Sequence, residues 1–506
     1  MSWFLIIISF IFFLLRLPSL FEPHWYGDEG IYQVVGMALN NGSLLYKDIW
    51  DNKPPLLYLL YALFQSDQFT VRFVSLIFGL LSLLVFFFLS KKLFAKPAGS
   101  KKIYFFTTSI FALLFALPIL EGNIANAENF MLLPVLIAAL LIIKGVTLSS
   151  VSKESTHKKN LFSYLIHNTY FLMLFSSGIL LGLAFLFKIV AIFDFLALLI
   201  FLFIINLPLY KLDLSLQKEK KYFISFAQKA SPFIVGFLIP ILASAFYFWA
   251  KGAFFDFVRA TFSSNIDYVG WQNKWIFPQG LLLLKTILLI MLVVLLVRKR
   301  GVLAKNTIFI LLWFVFSLFN AFFAERPYTH YLLTLLPSFI LMIGLIIWER
   351  KYKKPLIIIF IIAFILVIKN FNFYGKTTTY YQNFTSFILG QKSVSSYRSF
   401  FDKRTPIDYE IAMFVKSKIR KNDSIFVWGN NAQLYKMVER KPIGKYIVAY
   451  HVTGYKDGLT NTKEAIDSVK PRFIIIMPDQ KPIPIVFTHY SERFNINRVT
   501  IYERFF

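Results

Sequence analysis

The acidic residues that follow the first apolar stretch of the chain include Asp28, Glu29, Asp48 and Asp51, with Lys47 and Lys53 alternating among them. Asp28 and Glu29 stand side by side in GDEGIYQ (27–33), just past the oily run WFLIIISFIFFLLRLPSLF (3–21). A charge is costly at a membrane boundary, and one found there tends to be kept for function. The chemistry open to such a set is proton transfer at a carboxylate, with ammonium groups to steady negative charge. An ordinary solvated loop would carry similar charges. It would not carry the aromatic and apolar residues interleaved here, which fold the loop down onto a bilayer.

The elements that must position these groups are membrane spans. The chain is 57% hydrophobic, with 60 Phe in 506 residues, against about 45–50% apolar in soluble domains. The excess lies in long runs such as 70–90, 103–120, 331–348 and 355–369. Runs of roughly 18–20 residues match the bilayer's hydrocarbon thickness, and there are too many for one soluble core. The segment 1–21 lacks a basic start and a small-x-small cleavage site, so it reads as a retained first span. The absence of cysteine excludes disulfides and thiolate metal sites. A net charge of +27 points to anionic lipid headgroups and a positive-inside bias, not to nucleic acid.

Hydropathy marks about eleven spans, near 3–21, 70–90, 103–120, 129–146, 170–187, 189–206, 231–250, 281–298, 306–324, 331–348 and 355–371. With the N-terminus in the cytoplasm, the inner connections hold about three times the Lys and Arg of the outer ones. Everything after residue 371 then lies outside. Two domains result: 1–371, whose first outer loop (22–69) carries the candidate site, and 372–506. The loop contains IYQVVGMALNNG (31–42), an amphipathic helix closed by Asn41-Gly42. After Pro54-Pro55 comes an apolar segment too short to span, expected in the interface. In the tail, DYEIAMFVKSKIR (408–420) and TKEAIDSVK (462–470) have helical spacing. Each is followed by a strand-like run, SIFVWG (424–429) and RFIIIMP (472–478). This alternation predicts a small α/β domain. Residues 376–404 read as a polar connection. Asp194 is the ionisable residue read as lying well inside a span.

The loop resembles a known family. The order DEGIYQVVGMALNNGSLLYKDIWDNKPPLLYLLYALF (28–64) is similar to the first luminal or periplasmic loop of family 39 glycosyltransferases. These are the protein mannosyltransferases and their bacterial relatives, including the lipid A aminoarabinose transferases, which share the GT-C fold. NIANAENFMLLP (123–134), GILLGLAFLFKIVAIFDF (178–195) and RPYTHYLLTLLPSFI (326–340) resemble further segments of the same family. The resemblance covers roughly 1–345. One departure is Asn52, which stands where some relatives have an acid before the Lys of Lys-Pro-Pro; Asp51 is one residue earlier.

The resemblance implies an all-α polytopic membrane protein of GT-C type with a small extracytoplasmic α/β domain. It implies transfer of a sugar from a polyprenyl-phosphate carrier to a glycolipid, glycan or protein acceptor outside the cytoplasm, with inversion. Phosphate is a good leaving group, so one carboxylate to take the acceptor's proton is the chief requirement. Asp28 is the expected base, with Glu29 as neighbour or substitute. Lys53 and Arg326 are expected to hold the donor phosphate, with Lys188 and Lys274 weaker candidates. Tyr32, Asp48, Asp51, Glu128 and His330 are expected in support or toward the acceptor. A lone His beside a span is more often a packing residue. No paired His/Asp spacing signals a metal, and a divalent cation stays open. Trp428-Gly429 could stack on a sugar, though a turn after a buried strand is the plainer reading. A bacterial-type plasma membrane is the expected location.

Two other classes compete. A transporter or flippase would place ionisable groups in mid-span and break helices in paired halves; no clear halves are seen. A non-catalytic scaffold binding cell-wall polymer would tolerate loss of Asp28. Within the enzymes, a lipid-linked oligosaccharide ligase or polymerase is the nearest rival.

Overall fold

The computed structural model describes residues 1–94, 101–154, 161–207, 216–265, 280–324, 326–478 and 480–505. Each of the eleven apolar runs is helical there. Among the described residues, eight helices are long and apolar enough to cross a membrane. The run at 103–120 forms the shorter helix Lys101–Ala116. Those at 281–298 and 355–371 form Gly280–Lys299 and Lys353–Asn370, which carry basic residues in their last turns. The protein is thus a helical, multi-pass membrane protein with a small C-terminal sheet.

The first outer loop is ordered throughout. Helix α1 (Ser2–Arg16) ends in a 3-10 turn opened by Pro18, and the chain is extended at Glu22. Helix α2 (Gly27–Asn40) then begins, with Asp28 and Glu29 in its first turn, where the helix dipole favours negative charge. It stops at Asn41 and turns through Gly42 at φ +81°. Helix α3 (Pro55–Leu63) starts at the Pro pair as expected. It buries Leu57, Tyr58 and Tyr61 and exposes Leu59 and Leu63. Helix α4 (Gln68–Phe94) is the second span.

Close packing holds the bundle. A Cβ on Gly178 would meet the Phe233 carbonyl oxygen at 2.2 Å, and one on Gly182 the Phe237 carbonyl oxygen at 2.5 Å. The Gly-x-x-x-Gly stripe therefore lets helix Leu161–Phe187 lie directly on Leu216–Ala250. Asp194 accepts a hydrogen bond from Trp313 Nε1 at 2.7 Å. It is not the sole ionisable group buried within spans: Arg16 and Arg72 are fully buried as well.

The tail carries β1 (Ile425–Trp428), β2 (Phe473–Ile476), β3 (Tyr490–Ile496) and β4 (Val499–Arg504), ordered β1-β2-β4-β3. The first two are parallel, and their preceding helices are Thr405–Lys418 and Gly458–Val469. This is the expected helix–strand alternation. The β3–β4 hairpin adds to it. Residues 376–404 are not an open connection, since they contain helices Thr377–Ile388 and Val394–Ser399. Trp428 is buried and donates through Nε1 to the Lys481 carbonyl, which closes its face to sugar stacking.

The tail is seated on the first loop. Trp50 N–H donates to the Lys445 carbonyl at 2.8 Å, and Tyr380 OH donates to Glu22 at 2.6 Å. A Cβ on Gly30 would lie 3.0 Å from the Gln433 backbone nitrogen, so α2 and the tail helix Gln433–Val438 meet here with little room for a side chain.

Candidate active site at the first loop

Two polar clusters flank α2. In the first, Arg72 of α4 grips Glu29 as a fork, Nε to Oε1 at 2.9 Å and Nη2 to Oε2 at 2.5 Å. Its Nη1 reaches Glu22 at 3.1 Å and the Ser19 carbonyl at 2.7 Å. Glu22 also accepts from Trp25 Nε1, Asn123 Nδ2 and Tyr380 OH. All three charged groups are buried. Glu29 is thus committed to Arg72, and its carboxylate joins the loop to the second span.

The second cluster contains Asp28, which is half-buried. One turn on, Tyr32 OH donates to Asp28 Oδ2 at 3.4 Å. Asp51 is buried and accepts from Tyr58 OH at 2.6 Å and from the Asn52 N–H at 2.8 Å. Tyr58 OH in turn accepts from the Lys53 N–H at 3.1 Å, and Tyr46 OH donates to the Lys53 carbonyl at 2.7 Å. The main chain of Lys53 is therefore held on both sides by buried phenols. Its Nζ donates to Asn52 Oδ1 at 3.1 Å. Burial, with the charges of Asp28 and Asp51, pushes the Tyr32 phenol well above its ordinary value, so it remains a donor at neutral pH.

Across from α2, Lys188 pairs with Glu128 and lies 4.3 Å from the Tyr331 ring centre. Lys53 and Asp28 are both within electrostatic reach of its ammonium. His330 Nε2 lies 3.8 Å from Glu128 Oε1, and its Nδ1 lies 3.0 Å from Glu121 Oε2. Glu121 also accepts from Tyr26 OH at 2.6 Å and Thr329 Oγ1 at 2.7 Å. Burial works to raise the Glu121 carboxyl, but His330, Tyr26 and Thr329 outweigh it and hold the group down at about 2.

One region thus gathers Asp28, Tyr32, Asp51, Lys53, Glu128, Lys188 and His330. Asp28 is the carboxylate in it that makes no ion pair within 4 Å among the described residues. Such a group can take a proton, and the two ammonium groups nearby can offset charge growing on a departing phosphate.

No protein-family profile matches this chain, and no curated protein matches it. Solved structures do resemble it in course. The archaeal oligosaccharyltransferase AglB from Archaeoglobus fulgidus, in complex with an inhibitory peptide and a dolichol-phosphate, matches over 94% of this chain and 69% of its own, with 12% identity and a TM-score of 0.47. ArnT from Cupriavidus metallidurans, bound to undecaprenyl phosphate, matches over 98% of this chain and 97% of its own, with 12% identity and a TM-score of 0.41.

Three further expected residues remain. Asp48 is exposed and closes a local turn by accepting from the Leu44 N–H at 2.7 Å. Arg326 is exposed at the start of the connection into the Thr329–Trp348 span. Lys274 lies outside the described residues. Glu121 and Tyr26 were not anticipated. Their signal was present: Glu121 shares a short outer connection with Glu128, and Tyr26 directly precedes the helix that bears Asp28. Among the described residues no three His, Asp or Glu groups converge as a metal site. Glu128 is paired with Lys188 and Glu121 with His330.

Proposed function

We propose that this protein is a membrane glycosyltransferase of GT-C type, moving a sugar from a polyprenyl-phosphate donor to an acceptor outside the cytoplasm with inversion. The observation that carries the reading is the state of Asp28: it is half-buried at the head of α2, with Lys188, itself within reach of Lys53, in electrostatic reach and no cation bound to it among the described residues. Asp28 takes the proton of the acceptor hydroxyl as that oxygen attacks the anomeric carbon. The carbon–oxygen bond to phosphate breaks on the opposite face, and the pair of electrons leaves with the polyprenyl phosphate. Lys53 and Lys188 offset that charge. Tyr32 holds the Asp28 carboxylate in place. The likeness of residues 28–64 to family 39 loops supports the same reading. The location in this reading is the plasma membrane, with the N-terminus cytoplasmic and residues 372–506 outside.

The test is release of free polyprenyl phosphate by purified protein from a panel of polyprenyl-phosphate sugars, wild type against Asp28→Asn. Turnover of one donor, reduced about 10²–10⁴-fold in the variant, is the expected result. Undiminished turnover in the variant would remove Asp28 from the chemistry. If no donor in the panel is consumed even with a broad mixture of glycolipid, glycan and protein acceptors present, the transferase reading fails.

A further inference from the structure

The C-terminal domain reaches the candidate site through one side chain. His451, in the short helix Ala449–Gly454, is buried and presents Nε2 to Asp51 Oδ1 at 3.7 Å. The segment carrying it is fixed to the loop. Trp50 pairs with Lys445 and Tyr446, Lys445 reaches Asp256 at 3.0 Å, and Tyr455 packs on Trp50 with ring centres 5.1 Å apart. Asp51 is the acid whose partner Tyr58 receives the Lys53 N–H. An unbroken series of contacts therefore runs from the tail to the residue expected to meet the donor phosphate.

Two features mark this seam as more than packing. At 3.7 Å the His451–Asp51 approach is longer than a hydrogen bond, yet both groups are buried. Two buried ring nitrogens along it, Trp50 Nε1 and His451 Nδ1, have no hydrogen-bond partner among the described residues, and both rings pack near Tyr455. Unpartnered buried polar atoms are uncommon and ask for a reason. Burial pushes the imidazole down to about 4, so at neutral pH it is uncharged and has a single N–H. Facing a carboxylate, that hydrogen belongs on Nε2, which leaves Nδ1 bare.

We infer that His451 is a positioning residue for donor binding: it steadies Asp51 from the tail and, through Asp51 and Tyr58, the main chain that presents Lys53. The inference rests on the transferase reading above. The His451–Asp51 contact tightens to hydrogen-bond length when the phosphate engages Lys53, as contacts at reacting sites do on loading. The C-terminal domain is then part of the site.

Binding of undecaprenyl phosphate to the full-length protein in detergent tests this, with the melting temperature followed in parallel. A Gln amide nitrogen stands near the place of Nε2, whereas an Asn amide nitrogen stands near that of Nδ1. His451→Ala and His451→Asn are expected to weaken binding about tenfold, and His451→Gln to stay within about twofold of wild type. Equal weakening by all three, or none by Ala and Asn, overturns the inference. If His451→Ala does not fold, Tyr58→Phe removes only a hydroxyl from the same series and is expected to weaken binding similarly; unchanged binding overturns the inference. Wild-type protein that does not bind the probe sinks the transferase reading and this inference with it.

Discussion

Lys53 and Lys188 have the same charge and separate surroundings, which gives their variants different signatures. Lys188 pairs with a buried Glu128, whereas Lys53 is half-buried beside Asn52. Both Lys53→Ala and Lys188→Ala are expected to lower kcat/KM for the donor about 10–100-fold. Lys188→Ala also leaves a carboxylate buried and unpaired. It alone should lower the melting temperature by several degrees, which a thermal shift assay with parallel kinetics would show. At this scale the sequence was readable where local order carried the signal. Asp28, Tyr32 and Lys53 stand in one loop, and their grouping followed from it. The different pairing of Asp28 and Glu29 did not, because it depends on Arg72, which lies 43 positions from Glu29. Glu121 escaped for a similar reason. Its partner His330 is 209 residues away, and its own backbone sits at φ +56°, a conformation that spacing does not announce.

Elements built on long apolar runs or clear helical periodicity were legible, including all eleven runs and the helix–strand pairs of the tail. The β3–β4 hairpin was not. Its turn is Asn497-Arg498, with both residues at positive φ, in place of the Asn-Gly that usually marks such a turn. Helix packing yields two further tests. The Glu22–Arg72–Glu29 group binds the loop to α4. Arg72→Met should cost about 3–5 kcal/mol by leaving two buried carboxylates unpaired. Combining it with Glu22→Gln and Glu29→Gln should recover much of that loss. Melting curves of the single and triple variants decide, and a triple variant no better than the single would refute it. In helix Thr405–Lys418, Asp408 is buried, with Oδ1 lacking a partner, and burial pushes its carboxyl up to about 6. An acid with a raised folded pKa favours folding when protonated and disfavours it as pH rises from about 4 through about 6. Asp408→Asn should therefore raise the melting temperature at pH 7 and change it little near pH 4.

Over the whole molecule, the reading requires that the tail and the first loop share one side of the membrane, and their contacts agree with that. The chain has no cysteine, so single reporters can be placed without background. A cysteine at Lys403 in intact cells or spheroplasts should react with a membrane-impermeant maleimide. One at Arg300, in an expected inner connection, should react only after permeabilisation. The reverse pattern would invert the topology. The charge bias of the connections is what predicts this orientation. The intimacy of tail and loop was hidden, since nothing local in residues 376–404 discloses that Tyr380 bonds Glu22 across 358 positions.

That last contact bears on how the protein is made. The loop emerges from the ribosome hundreds of residues before Tyr380, Gln433 and His451, which complete its surroundings. Until Tyr380, Gln433 and His451 have been synthesised and moved across the bilayer, Glu22, α2 and Asp51 lack part of their final surroundings. The tail must therefore dock onto the loop after both have crossed the bilayer, and in the proposed transferase the site is incomplete until it does.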